Sequence, residues 1–237
     1  MRETNYQSYG RYQHSEKDVI NVQNSFMTKV YGWMSGGLAI TAATSMFIAN
    51  SYDTMMMVAN MRWILIIAQL GLVFALSGAI NRMSSATATI LFLAYSALTG
   101  ATLSSIFYVY DLNAIVSTFF VTAGTFVAMS VYGMTTKKDL SSMGSLLMMA
   151  LLGLIITSIV NIFIASSTLY WLISGVGVLI FVGLIAYDTQ KLKEMSHAIL
   201  DGESAKKMVI LGALSLYLDF INLFLFLLRF FGGSSRD

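Results

Sequence analysis

Apolar residues run along the chain in blocks of about twenty, broken by short polar connections. An α-helix rises 1.5 Å per residue, so each block matches the length needed to cross a bilayer's hydrocarbon. Seven such segments are read, at 31–50, 63–81, 87–108, 114–133, 144–165, 169–187 and 208–231. Helices satisfy their own backbone hydrogen bonds where no water is available. A membrane barrel would instead alternate in runs of about ten residues, and no such alternation is present. The pattern predicts an all-α polytopic membrane protein with seven transmembrane helices. Two regions follow: a flexible polar tail over 1–24 and a seven-helix transmembrane domain over 25–237.

Composition supports this reading. Of 237 residues, 57% are hydrophobic and 11% charged, against roughly 25% charged in soluble domains. With the N-terminus in the cytoplasm, eleven of the fourteen Lys and Arg residues fall on the inner side, leaving Arg62, Arg229 and Arg236 outside. The positive-inside rule therefore places the C-terminus outside. The net charge of +2 reflects topological anchors and gives no reason to expect nucleic acid as a partner. The bilayer is the expected partner instead.

The first thirty residues, rich in Tyr, Gln, Ser and charge, read as a disordered tail running into a short amphipathic lead. They lack the features of a cleaved signal. Cysteine and proline are absent, which excludes thiolate chemistry and leaves Gly or Ser as the source of any bend. The polar stretch 188–207 reads as a cytoplasmic extension of the sixth helix and a turn near Asp201 and Gly202. Gly32 with Gly36, and Ser96, Gly100 and Ser104, recur every four residues, a spacing that lets helices approach closely. The run Met55, Met56, Met57 with Met61 reads as apolar contact at the membrane surface. His14 and His197 lie outside the apolar segments, where neither could serve an intramembrane serine as base.

Two carboxylates break the pattern. Asp219 stands inside LYLDFINLFLFLLRFF, where a charge is costly and by default functional. Asp188, in GLIAYDTQKLKEM, sits where the sixth segment meets the cytoplasmic side and reads equally as a solvated boundary residue. The two helices are consecutive and antiparallel, so the acids can meet. Two carboxyls close together in a low dielectric cannot both ionise cheaply and tend to share one proton. Such a pair titrates as a unit, and further ionisation must attract a cation, recruit a basic side chain or part the helices. Arg82, after the second segment, is a basic candidate, and is equally read as a topological anchor. Hydropathy ends the sixth segment at Tyr187 and starts the seventh at Met208, which separates the two acids in depth. They meet only if one of these helices runs further than hydropathy indicates.

The blocks VGLIAYDTQKLK and ALSLYLDFINLFLFLLRFFG, with AYSALTGATLSSIF and TTKKDLSSMG, resemble the signature of the Bax inhibitor-1 family, in particular its bacterial members. The resemblance covers the chain after its tail. It implies a bacterial inner-membrane location, with the seventh helix central and wrapped by the other six. It also implies a calcium leak modulated by pH, with Asp188 and Asp219 as a di-aspartyl proton sensor on the pore and Arg82 as its gating partner. No cofactor is expected, Ca²⁺ and H⁺ being permeant species. Calcium prefers six to eight oxygen ligands, so Asp188 and Asp219 would give it only a transient stop, which suits conduction.

Two other readings compete. One is a non-conducting protein that modulates a membrane partner such as a quality-control protease. The other is an intramembrane aspartyl protease, disfavoured because LYLD replaces the GxGD element of that class and its proline-bearing motif is impossible here. The chain is therefore not expected to be an enzyme.

Overall fold

Long apolar runs without proline fold as long helices, and the computed structural model describes them over residues 16–196 and 202–232. They are α1 (Glu16–Ala49), α2 (Tyr52–Asn60), α3 (Arg62–Ala79), a 3-10 turn (Ile80–Arg82), α4 (Ser85–Leu103), α5 (Ile106–Val109), α6 (Leu112–Thr135), α7 (Ser141–Ile164), α8 (Ser167–Ser196) and α9 (Glu203–Phe231). No strand occurs among the described residues. Residues 1–15 of the expected tail, His14, His197, Asp201 and Arg236 lie outside the described residues. Residues 16–24 form the first turns of α1.

Local chemistry sets several boundaries. Ser84 caps α4, its hydroxyl accepting from the Thr87 amide at 3.1 Å, which satisfies a donor that the helix start leaves free. Where α7 turns into α8, neither Gly nor Pro is available. Ala165 instead takes a left-handed φ of 54°, and the Asn161 side chain accepts from the Ser166 amide at 3.1 Å. Gly202, at φ 125°, supplies the turn before α9, a conformation that suits glycine.

Six helices are long and apolar enough to cross a membrane among the described residues. They comprise α3 with its 3-10 turn, α4 with α5, α6, α7, α8 and α9. The expected first segment, within α1, is not one of them, because three glycines, two serines and two threonines dilute the apolar residues of 31–50. Those small residues are used for packing. Gly37 lies against the Phe92 ring and Ser96, while Gly100 lies against the Thr41 backbone. Contacts 37 to 92, 41 to 96 and 44 to 100 hold a nearly constant offset, so α1 and α4 run parallel. Val30 meets Gly212 and Thr41 meets Tyr217, so α1 is parallel to α9 as well. The close-packing expectation holds for Ser96 and Gly100. It is corrected for Gly32 and Gly36, which are exposed with nothing near the position of a Cβ; Gly37 makes the approach instead.

The most enclosed element is α9. Of its most apolar 18-residue window 72% is buried, against 6% for α7. It packs on α1, α4, α6 and α8, while α3 packs chiefly on α4 and α7 on α8 as an outer layer. Side chains that face outward from this layer are apolar, and Phe163 is 85% exposed. A surface of this kind is stable against hydrocarbon and not against water. Met55 is buried, whereas Met56, Met57 and Met61 are exposed on or beside α2, in keeping with apolar contact.

Candidate functional site

The antiparallel pair α8 and α9 determines which polar residues can meet. Leu192 lies against Gly212, Asp188 bonds Ser215, and Phe181 stacks on Phe226. As one number falls the other rises, so residues whose numbers sum to about 400 face each other. The helices also run past their hydropathy limits. Beyond Tyr187, α8 continues nine residues to Ser196, and α9 starts at Glu203, five before Met208. Asp188 therefore stands inside a continuous helix, level with the second and third turns of the expected seventh segment.

On α9, Ser215 and Asp219 are four apart and share a face, whereas Tyr217 between them points the opposite way. Each face meets a different partner. The Ser215 hydroxyl donates to Asp188 Oδ2, and the carboxyl of Asp219 lies near enough to that of Asp188 for the two acids to act on each other. Asp219 is buried and Asp188 half-buried. No N–H or O–H donates to Asp219 Oδ2 among the described residues. A proton held between the two acids would give that oxygen a donor, which two ionised carboxylates cannot offer each other. Lys191, one turn along α8, is the cation that acts on Asp188, and its ammonium lies 5.7 Å from the Tyr187 ring centroid.

Tyr217 points into the rings of Phe92 and Tyr95, each centroid 5.8 Å away. Its hydroxyl lies 2.6 Å from that of Thr41, which is itself 2.9 Å from the Ser96 carbonyl. Two adjacent turns of α9 therefore carry a di-acid toward α8 and a hydroxyl chain toward α1 and α4.

The C-terminal half of α8 is tied to the 136–140 connection. Gln190 accepts from the Leu140 amide and donates to the Lys138 carbonyl, both at 2.8 Å. Lys193 donates to the Met134 carbonyl at 2.7 Å, capping the end of α6. Gly144 gives room to the Tyr187 ring. The blocks YDTQKLK and TTKKDLSSMG thus form one contact surface beside the acids.

Of the three site residues read from the sequence, Asp188 and Asp219 are brought together and Arg82 is not. Arg82 ends the 3-10 turn with its side chain exposed, without a hydrogen bond or ion pair among the described residues. Ser215 was missed, although its four-residue spacing from Asp219 is a readable signal. No group of three or more His, Cys, Asp or Glu residues that could hold a metal occurs among the described residues. Two acids fall short of the ligand set of a tight calcium site.

The family model described as "Inhibitor of apoptosis-promoting Bax1" matches residues 23–236. The chain is 54% identical over 214 residues to the inner membrane protein YbhL of Escherichia coli K12, covering 88% of this chain and 92% of that one. It is 51% identical over 234 residues to a protein of Borreliella burgdorferi, covering 94% and 97%. To a membrane protein of Streptococcus pyogenes serotype M6 it is 38% identical over 214 residues, covering 88% and 93%. Near-complete coverage on both sides carries the likeness through every helix described above, and the chain belongs to the Bax inhibitor-1 family, as a multi-pass protein of the inner membrane.

Proposed function

We propose that the protein is a pH-sensitive calcium leak of the inner membrane, gated by the proton that Asp188 and Asp219 share. The proximity of these two carboxyls inside the bundle carries the proposal. While one proton is held, the pair has a single negative charge and ties α8 to α9. Loss of that proton doubles the charge in a poorly hydrated site, and like charges at contact repel strongly there. Two responses relieve the repulsion: a cation is drawn in, or the helices separate. Lys191 and the Ser215 hydroxyl supply part of the compensation. Two carboxylates with backbone carbonyls and water form a shallow stop for Ca²⁺, which an ion can leave as readily as it enters.

In this reading α1, parallel to α4 and α9, is the seventh crossing. The N-terminus lies in the cytoplasm and the C-terminus outside, which follows from the distribution of Lys and Arg. Arg82 then lies at the cytoplasmic end of α3, and to act as gating partner it must move from its exposed position toward the pair.

The test is calcium flux into liposomes that contain the protein and a calcium dye, stepped from pH 6 to pH 8. Flux is expected to differ between the two pH values, and Asp188→Asn and Asp219→Asn are expected to abolish the difference. Equal flux at both pH values, or an unchanged response in both variants, rules the mechanism out.

A further inference from the structure

A groove of about 810 Å³ opens between the beginnings of α1, α4 and α9, away from the acid pair. Along each of its three walls a Lys or Ser is followed by a larger apolar residue, in the same direction because the three helices run parallel, while Val22 and Phe26 also line the groove beside Ser25. On α1, Ser25, Lys29 and Trp33 stand four apart on one face, and on α9 Lys206 is followed one turn later by Ile210. On α4, Ser85 precedes Ile90. Lys29 and Lys206 are exposed and form no ion pair or hydrogen bond among the described residues. Trp33 is 38% exposed and Ile90 66% exposed. Glu203, at the start of α9, accepts from the amide and hydroxyl of Ser85 and its charge also acts on Lys206, so Lys29 is the lysine of the pair with no acid partner among the described residues.

We infer that this groove binds an anionic phospholipid, with the phosphate between Lys29 and Lys206 and the acyl chains along Trp33 and Ile90. A slot that is cationic at one end and apolar at the other matches an amphiphile with a charged head. A soluble anion would leave the apolar half unfilled. A zwitterionic lipid would set its own cation against the two ammonium groups. Basic pockets between membrane helices recognise anionic headgroups by this combination of charge and depth, and an indole near the headgroup level favours the same boundary. The site is independent of the calcium reading, since nothing in it involves Asp188 or Asp219.

Trp33 reports the occupant directly. In the full chain carrying Trp63→Phe and Trp171→Phe, Trp33 is the remaining tryptophan. Its fluorescence is measured in vesicles containing brominated phosphatidylglycerol or brominated phosphatidylcholine. Quenching is expected to favour phosphatidylglycerol about thirtyfold in relative binding, the scale of two lysines near an anionic surface. Lys29→Gln with Lys206→Gln should reduce the preference to less than about twofold, and Lys29→Arg with Lys206→Arg should retain it. A pair of changes at the same end of the bundle, Lys137→Gln with Lys138→Gln, should leave it intact. Equal quenching by both lipids overturns the inference, as does a preference that survives the first pair of changes or is lost with the Lys137 and Lys138 pair. Loss of the preference on adding inorganic phosphate would also overturn it, by showing a site for a small anion and not for a lipid.

Discussion

The hydroxyl of Ser215 on α9 donates to Oδ2 of Asp188 on α8, one turn from Asp219, which acts on the same carboxyl. Two groups of a single helix face therefore act on Asp188. A hydrogen bond donated to a carboxylate favours its ionised form, so removing the hydroxyl makes ionisation of the pair harder. Ser215→Ala is expected to move the pH at which calcium flux changes upward by on the order of one unit, the scale of one hydrogen bond to a charged group. Ser215→Thr, which keeps the hydroxyl, should leave it near the wild-type value. Infrared spectra across the same titration should show the protonated carboxyl band persisting to higher pH in Ser215→Ala. Identical curves for Ser215→Ala and wild type would remove Ser215 from the sensor.

Gly133 on α6 is the clearest case of a close approach that tolerates no side chain. A Cβ there would meet the Ala186 carbonyl oxygen and the Thr189 side chain, two residues before Asp188 and one after it. A backbone carbonyl cannot swing aside as a flexible side chain can. Gly133→Ala is expected to destabilise the bundle by about 1–3 kcal/mol, the usual range for overpacking. Gly71 on α3 has open space at the same position, so Gly71→Ala should be neutral or stabilising by up to about 1 kcal/mol through helix propensity. Thermal unfolding in detergent distinguishes the two, and equal midpoints would contradict the α6 to α8 packing.

Apolar blocks located the long helices in order, but not one helix to a block: 63–81 runs from α3 into the 3-10 turn, 87–108 covers both α4 and α5, and six of the seven expected crossings are long and apolar enough to span among the described residues. The ends were less legible. Hydropathy measures compatibility with lipid and not helix continuity, so it ends the sixth segment at Tyr187; the reading of the polar stretch after it as an extension of the same helix is the one that matches α8, which goes on to Ser196. That extension brings Asp188 level with Asp219. For α1 the glycines, serines and threonines that permit contact with α4 and α9 are the residues that weaken its hydropathy signal. The Gln190 clamp on Lys138 and Leu140 joins residues about fifty apart, a pairing no local pattern encodes. The exposed position of Arg82 depends on how α3 packs on α4, which its place after the second apolar segment does not reveal.

Groups outside the membrane segments serve as controls for the pH response. Asp139 accepts from the Ser141 amide at 2.8 Å, which holds its carboxyl below the usual aspartate range. With a lowered folded-state value, its contribution to stability is present above the unfolded value of about 3.9 and is lost as pH falls through the folded one. Between pH 6 and 8 it stays ionised. Tyr110, pushed up to about 12 by burial and by Tyr170, stays protonated in the same window; its contribution is lost only as pH rises above about 10 toward that value. Asp139→Asn is therefore expected to leave the flux difference between pH 6 and 8 unchanged, and its carboxyl carbon signal in the wild type should titrate below about 3.9. A flux difference abolished by Asp139→Asn would move the sensor from the helix pair to the 136–140 connection.

The parallel course of α1, α4 and α9 has a topological consequence that the absence of cysteine makes easy to check. Three parallel helices must all be entered from one side. If α4 and α9 cross the membrane, so does α1, and its two ends lie on opposite faces. Thr28, at the start of the apolar part of α1, and Asn50, just past its end, are exposed, and Lys137 is exposed in the connection after α6. Each is replaced by cysteine in an otherwise cysteine-free chain and treated with a membrane-impermeant maleimide in intact cells whose outer membrane has been made permeable. Asn50→Cys is expected to label from outside, while Thr28→Cys and Lys137→Cys should label only after the inner membrane is opened. Labelling of Thr28→Cys together with Asn50→Cys in intact cells would make α1 a surface helix and leave six crossings. The C-terminus would then lie on the same side as the start of α3.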